Sequence, residues 1–162
     1  MKTSIIRIVT AGALALAMSM AFAADTADTY STPSPAGDKL AAARAQIAAK
    51  NWAGAIDELK IVADTASADW NNLMGFSLRK SATPDLAGAE RFYDEALRID
   101  PKHRGALEYS GELYLMKGDL ARAEQRLARL DKACLLGCDE YTKLKNAVAR
   151  FKAAGNKYLA SQ

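Results

Sequence analysis

Apolar side chains recur three or four positions apart through most of this chain, the spacing that lines up one face of a helix. The segments NWAGAIDELKIV, DLAGAERFYDEAL and DLARAEQRLARL show it most clearly. Each predicts a helix, and Asn51, Asp85 and Asp119 stand just before these helices, where their side chains can cap free backbone N–H groups. A second helix is predicted in front of each. Leu107, Ser110, Gly111 and Tyr114 share a face of one from about Lys102 to Met116, and Asn71, Met74, Gly75 and Leu78 do the same between Asp69 and Lys80. The first copy has the weakest version, Leu40 to Ala49, built mostly from alanines. A seventh helix is predicted over Asp139 to Ala154, where Tyr141, Leu144, Val148 and Phe151 form a stripe.

The pattern also repeats at a longer period. Ala55, Ala89 and Ala123 lie 34 residues apart, and so do Trp52, Leu86 and Leu120; Leu59, Tyr93 and Leu127; and Val62, Ala96 and Leu130. Four positions holding one spacing across three copies define an internal repeat, each copy a helix hairpin with a short turn such as Lys117-Gly118-Asp119. Asp100-Pro101 closes the second copy, because proline lacks a donor and disfavours helix in the residue before it. Ala and Gly at the crossings let helix backbones approach, while Leu, Tyr and Trp fill the space between hairpins. One hairpin cannot bury both its faces, so the copies are expected to stack into a curved array, with the seventh helix closing the last.

These residues resemble the tetratricopeptide repeat, whose pattern is W-x2-L-G-x2-Y, then A-x3-F, then P. The third copy reads Leu107-x2-Ser110-Gly111-x2-Tyr114, then Ala123-x3-Leu127. The second reads Asn71-x2-Met74-Gly75-x2-Leu78, then Ala89-x3-Tyr93, then Ala96 and Pro101. The resemblance covers residues 38 to about 131. It implies an all-α fold, a right-handed superhelix of about three hairpins at 38–66, 67–101 and 102–131, followed at 132–162 by a cysteine-containing turn and a capping helix. Two departures stand out. The first copy keeps only its second-helix signature, Ala55-x3-Leu59, and the second has a longer Ser81-Ala82-Thr83-Pro84 turn, which leaves the register of residues 69–80 open.

The first 23 residues have a different character. Lys2 and Arg7 precede an apolar stretch from Ile8 to Met20, and Ala21-Phe22-Ala23 offers small residues at a cleavage point. This is the pattern of a secretory signal peptide cut after Ala23, rather than of a membrane anchor, because Asp25 and Asp28 follow too soon for a span of about 20 apolar residues. The expected location is periplasmic or secreted, with no stable membrane insertion after cleavage. Residues 24–37, ADTADTYSTPSPAG, have too few large apolar groups to fold and read as a flexible leader. Cleavage removes two of the 22 basic side chains and none of the 19 acidic ones, so the near-neutral remainder lacks the basic excess of a nucleic-acid binder.

Catalytic patterns are missing from the sequence. His103 is the only histidine and reads as an exposed residue at a helix start, without the second histidine or neighbouring nucleophile that a catalytic arrangement needs. Asp57-Glu58 and Asp94-Glu95 are adjacent, so on a helix they point apart, and no glycine-rich phosphate loop occurs. No cofactor is implied, and one histidine with two cysteines is a poor zinc set. Cys134 and Cys138, with three residues between them in an exported chain, are expected to form a disulfide, since Gly137 lets the backbone bring their Cα atoms within about 4.4–6.8 Å.

The resemblance further implies a groove lined by the first helices of successive hairpins that takes a protein or peptide partner. It nominates Arg44; Asp69, Asn72, Phe76, Arg79 and Lys80; and Glu108, Glu112 and Met116. Arg44, Arg79 and Lys80 are expected to grip a carboxylate, Asn72 a peptide backbone, and Phe76 an apolar group. The function implied is a non-enzymatic exported scaffold, with a role in envelope assembly or maturation. Two other readings stay open: a thiol-dependent protein handling disulfides or metal through Cys134 and Cys138, and a structural subunit that docks by its capping face.

Overall fold

A computed structural model describes residues 37–159; the expected signal peptide and nearly all of the expected leader lie outside the described residues. Seven helices follow in order: α1 (Ala41–Ala48), α2 (Trp52–Val62), α3 (Ala68–Lys80), α4 (Leu86–Ile99), α5 (Arg104–Met116), α6 (Leu120–Ala133) and α7 (Asp139–Ala153). There is no strand among the described residues. Helices α1 and α2, α3 and α4, and α5 and α6 pair as hairpins, while α2 packs on α3, α4 on α5, and α7 on both α5 and α6. The protein is an all-α helical repeat.

The period read from the sequence has a physical counterpart in every copy. Ala55, Ala89 and Ala123 are completely buried, and Trp52, Leu86 and Leu120 are all half-buried. Asn51, Asp85 and Asp119 cap α2, α4 and α6 alike: each Oδ1 accepts the backbone N–H three residues on, from Gly54 at 3.2 Å, Gly88 at 2.8 Å and Arg122 at 3.0 Å. Each cap satisfies an otherwise orphaned donor and typically contributes about 1 kcal/mol.

The same three residues fix the turns. The backbone N–H of Asn51 donates to the Gln46 carbonyl, that of Asp85 to Leu78, and that of Asp119 to Tyr114. These acceptors are equivalent positions in the first helices, so the two additional residues of the second copy are absorbed in the turn and α3 keeps its register. Ser81 Oγ braces that longer turn through the carbonyls of Leu78 and Thr83. The tight turns of copies one and three need a left-handed residue before the cap, which is Gly118 (φ 77°) in one and Lys50 (φ 57°) in the other.

Helix α7 stands where the first helix of a fourth hairpin would. Its end repeats the turn of the others, with the Asn156 N–H donating to the Phe151 carbonyl. Gly111 on α5 makes its docking possible, because a Cβ there would lie 2.5 Å from Cδ2 of the fully buried Leu144. The larger core cluster joins α4, α5, α6 and α7 through Tyr93, Leu107, Leu113, Leu130, Leu144 and Phe151. A smaller one holds α1, α2 and α3 together through Leu40, Ala43, Leu59, Trp70, Leu73 and Met74, pinned where the Trp70 indole N–H donates to the Leu59 carbonyl at 2.7 Å.

Candidate functional site

Helices α1, α3 and α5 lie side by side and carry all nine nominated groove residues. The structure divides these residues into two groups with different chemistry, set by the end of the helices on which they lie.

Toward the C-terminal ends the residues close on one another. Arg79, only 3% exposed, pairs through its guanidinium with a Glu112 carboxylate oxygen at 2.9 Å. Its Nε donates to the Tyr93 hydroxyl at 3.4 Å, and Nη1 lies 3.8 Å from the Met116 sulfur. The guanidinium carbon sits 5.6 Å from the Phe76 ring centroid and 5.7 Å from that of Tyr109. Burial works against the Arg79 charge, but Tyr93 and Glu112 more than offset it and hold its pKa above the ordinary arginine value. The same burial pushes the Tyr93 hydroxyl well above the usual tyrosine range and raises Tyr109 too. Phe76 is likewise engaged, edge-on to Trp52 with centroids 5.7 Å apart. Expected as a grip for a ligand's carboxylate, Arg79 instead has a carboxylate partner within the protein. Lys80 is exposed at the C-terminus of α3.

Toward the N-terminal ends a polar cleft of roughly 370 Å³ remains open, walled by Arg44, Asp69 and Asn72, by Asp100, Lys102 and His103 of the α4–α5 loop, by Arg104 and Gly105, and by Glu140. Asp69 is its hub. One carboxylate oxygen accepts from Arg44 Nη2 at 3.1 Å, and the other lies 2.9 Å from His103 Nε2. Burial would raise the Asp69 pKa, yet the His103 hydrogen bond and the Arg44 charge outweigh it and hold the carboxyl below the ordinary aspartate value.

His103 departs from the exposed residue expected of it. Its side chain is 13% exposed, and Nδ1 accepts the Ala106 N–H at 3.1 Å as the N-cap of α5. With Nδ1 accepting, the proton sits on Nε2 and is directed at Asp69. Both nitrogens are engaged, so the ring has no free lone pair with which to take a proton from a substrate. A cap built from a histidine has no counterpart at the other helix starts, and the sequence alone offered only its position just before α5 as a signal.

Asn72 forms the floor of this cleft. It is 6% exposed, and its Oδ1 is buried without a hydrogen-bond partner. Gly105 faces it from α5: a Cβ at that position would come within 3.1 Å of Asn72 Nδ2, so the missing side chain leaves room for the amide. Glu108, one turn further along α5, is also buried, at 3% exposure. Burial is the main reason its carboxyl rises to about 7; Lys143 on α7 pulls it down, while Glu112 and Glu140 push it up.

Cys134 ends α6, and Cys138 begins α7 with its sulfur accepting the Tyr141 N–H at 3.4 Å. Their Cα atoms are 5.7 Å apart, inside the span a disulfide tolerates. Among the described residues no three His, Cys, Asp or Glu side chains converge on a point that would hold a metal ion. No described helix is long and apolar enough to cross a membrane.

Residues 84–133, covering α4, α5 and α6, match the family model described as tetratricopeptide repeat. The stretch matched and the hairpin geometry agree that the chain carries a repeat of that type, a class that generally serves as a non-enzymatic scaffold binding proteins or peptides. No curated protein matches the chain.

Proposed function

We propose that the chain is an exported scaffold that holds an extended segment of a protein partner against the face formed by α1, α3 and α5. The polar cleft around Asn72 is the anchoring point. One observation carries this reading: the Asn72 carbonyl oxygen is buried with no donor to satisfy it, on a residue that lines the open polar cleft. A buried acceptor left unpaired costs about 1–3 kcal/mol, and a peptide N–H that meets it as the Asn72 amide turns toward the cleft would remove that cost. Asp69, Arg44 and Lys102 around the rim offer charges of both signs, which suits a peptide backbone flanked by mixed polar side chains better than a purely acidic tail.

Photo-crosslinking amino acids at Arg44 and Lys80, both exposed, test this in cells. The expected result is a covalent adduct with a partner from both sites, lost when Asn72→Leu fills the floor of the cleft. Absence of an adduct from either site, or an adduct indifferent to Asn72→Leu, would count against it.

Export rests on the charged start, apolar stretch and small residues of positions 1–23, and predicts a processed protein whose N-terminal sequencing begins at Ala24. In that setting Cys134 and Cys138 form a structural disulfide clamping the α6–α7 loop. The 5.7 Å Cα separation and the role of Cys138 in capping α7 support this. Thiol titration of the denatured, unreduced periplasmic protein is expected to find no free thiol; two reactive thiols would favour a redox or metal-handling role.

A further inference from the structure

The repeat allows its two inter-hairpin seams to be compared position by position. Between α4 and α6 the seam is ionic. Glu90 pairs with Lys117 and, at 2.9 Å, with Arg122; Asp94 pairs with Arg126 at 2.7 Å; and both arginines lie over the Tyr114 ring. Between α2 and α4 most of the equivalent places are uncharged, with Ile56 where Glu90 stands, Gly88 where Arg122 stands, Phe92 where Arg126 stands and Leu78 where Tyr114 stands; only Lys60, in the place of Asp94, keeps a charge. Among the described residues no ion pair joins α2 to α4 across this first seam. It remains an open, mostly apolar cleft of roughly 480 Å³, floored by Trp70 and Met74, with Lys60 and Asp85 at its rim. That volume falls within the range of about 300–1,000 Å³ typical of ligand sites.

The molecule also carries an unusual projection. In the loop between Cys134 and Cys138, Leu135 is 89% exposed and Leu136 is 100% exposed. Two neighbouring leucines held fully in water at the tip of a short loop are a preorganised apolar anchor, because little conformational freedom remains to be lost on docking. The charges beside the loop complement the cleft rim: Asp131 and Asp139 outnumber Lys132 and suit Lys60, an exposed cation that reaches only the equally exposed Asp57, at 3.7 Å.

We propose that Leu135 and Leu136 of one molecule insert into the α2–α4 cleft of a second copy, joining two chains head to tail. The flanking charges disfavour an anionic membrane as the target, since Asp131 and Asp139 flank the loop against a single Lys132 and the next acid, Glu140, is paired with Arg104. Residues 24–37 of the same chain are a poor filling for the cleft, having Tyr30 as their only large apolar side chain. Projection and cleft are different surfaces, so the contact is heterologous, and its small size makes it a weak association.

Sedimentation of the purified, processed protein from about 10 μM to about 1 mM, the range of weak encounters, is expected to show a weight-average mass that rises with concentration. The Leu135→Asp/Leu136→Asp variant, altered only at exposed positions, is expected to remain monomeric with an unchanged circular dichroism spectrum. A benzoylphenylalanine at position 136, in a mixture of isotopically light and heavy chains, is expected to crosslink between molecules to residues within 56–92. Lys60→Glu is expected to weaken association at least several-fold and to regain it when mixed with an Asp131→Lys/Asp139→Lys partner. Monomers throughout the range, association indifferent to the double aspartate change, or crosslinks mapping outside the cleft would overturn the proposal. These readouts need no foreign partner, so their failure leaves the peptide-binding reading of the opposite face standing on its own test.

Discussion

The Arg79 guanidinium meets the Glu112 carboxylate at 2.9 Å, joining α3 to α5 with only 2% of the arginine side chain exposed. An arginine that served only to greet a ligand would be dispensable to folding, and its replacement would change stability by less than about 0.5 kcal/mol. Arg79→Met is expected instead to cost on the order of 2–4 kcal/mol, since it breaks a buried pair and strands both Glu112 and the Tyr93 hydroxyl. Glu112→Gln keeps an acceptor but leaves the buried guanidinium without its counter-charge, so it is expected to cost a comparable amount. Urea unfolding of the two variants checks both values.

Glu108 gives stability a pH dependence. Its folded-state pKa of about 7 lies above the ordinary 4.5, so the native state retains its proton where the unfolded chain has already lost it. Stability from this group is therefore fully present below about pH 4.5, declines as pH rises to about 7, and is level beyond that. Glu108→Gln removes the decline. Unfolding free energies at pH 5 and pH 8 are expected to show the variant gaining roughly 2–3 kcal/mol relative to wild type between the two.

Lys50 occupies the left-handed position that Gly118 fills in the third copy, with φ of 57° and 77° respectively. A side chain there costs about 1 kcal/mol, which glycine avoids. Lys50→Gly is expected to raise the melting temperature and Gly118→Ala to lower it. Opposite signs at equivalent positions form the check.

At Gly111 the expected response is steric. An added Cβ would sit 2.5 Å from Leu144 Cδ2 and 3.2 Å from its Cγ, and Leu144 is completely buried in the core cluster. Gly111→Ala is expected to cost about 1–3 kcal/mol. Combined with Leu144→Ala, the two losses should sum to less than their separate values, because each relieves the other; a double-mutant cycle measures that coupling.

What the sequence determined was the repeating frame. Apolar spacing, caps and the 34-residue period are local or periodic properties, written in the order of side chains, and they located seven helices, their hairpin pairing and the buried alanines at 55, 89 and 123. The caps at Asn51, Asp85 and Asp119 were legible because capping depends on a residue and its own next turn. Tertiary structure alone decided which polar side chains were free. Arg79, Asn72 and Glu108 look alike as polar positions on a helix face, yet Arg79 is consumed by Glu112, Asn72 is left with an unpaired carbonyl, and Glu108 is desolvated beneath α7. His103 was decided in the same way, since Asp69, its partner 34 residues earlier, reaches it only when α3 and α5 lie side by side. Burial and pairing depend on neighbours from other helices, and no local spacing in a chain records how far such neighbours will be from one another once it has folded.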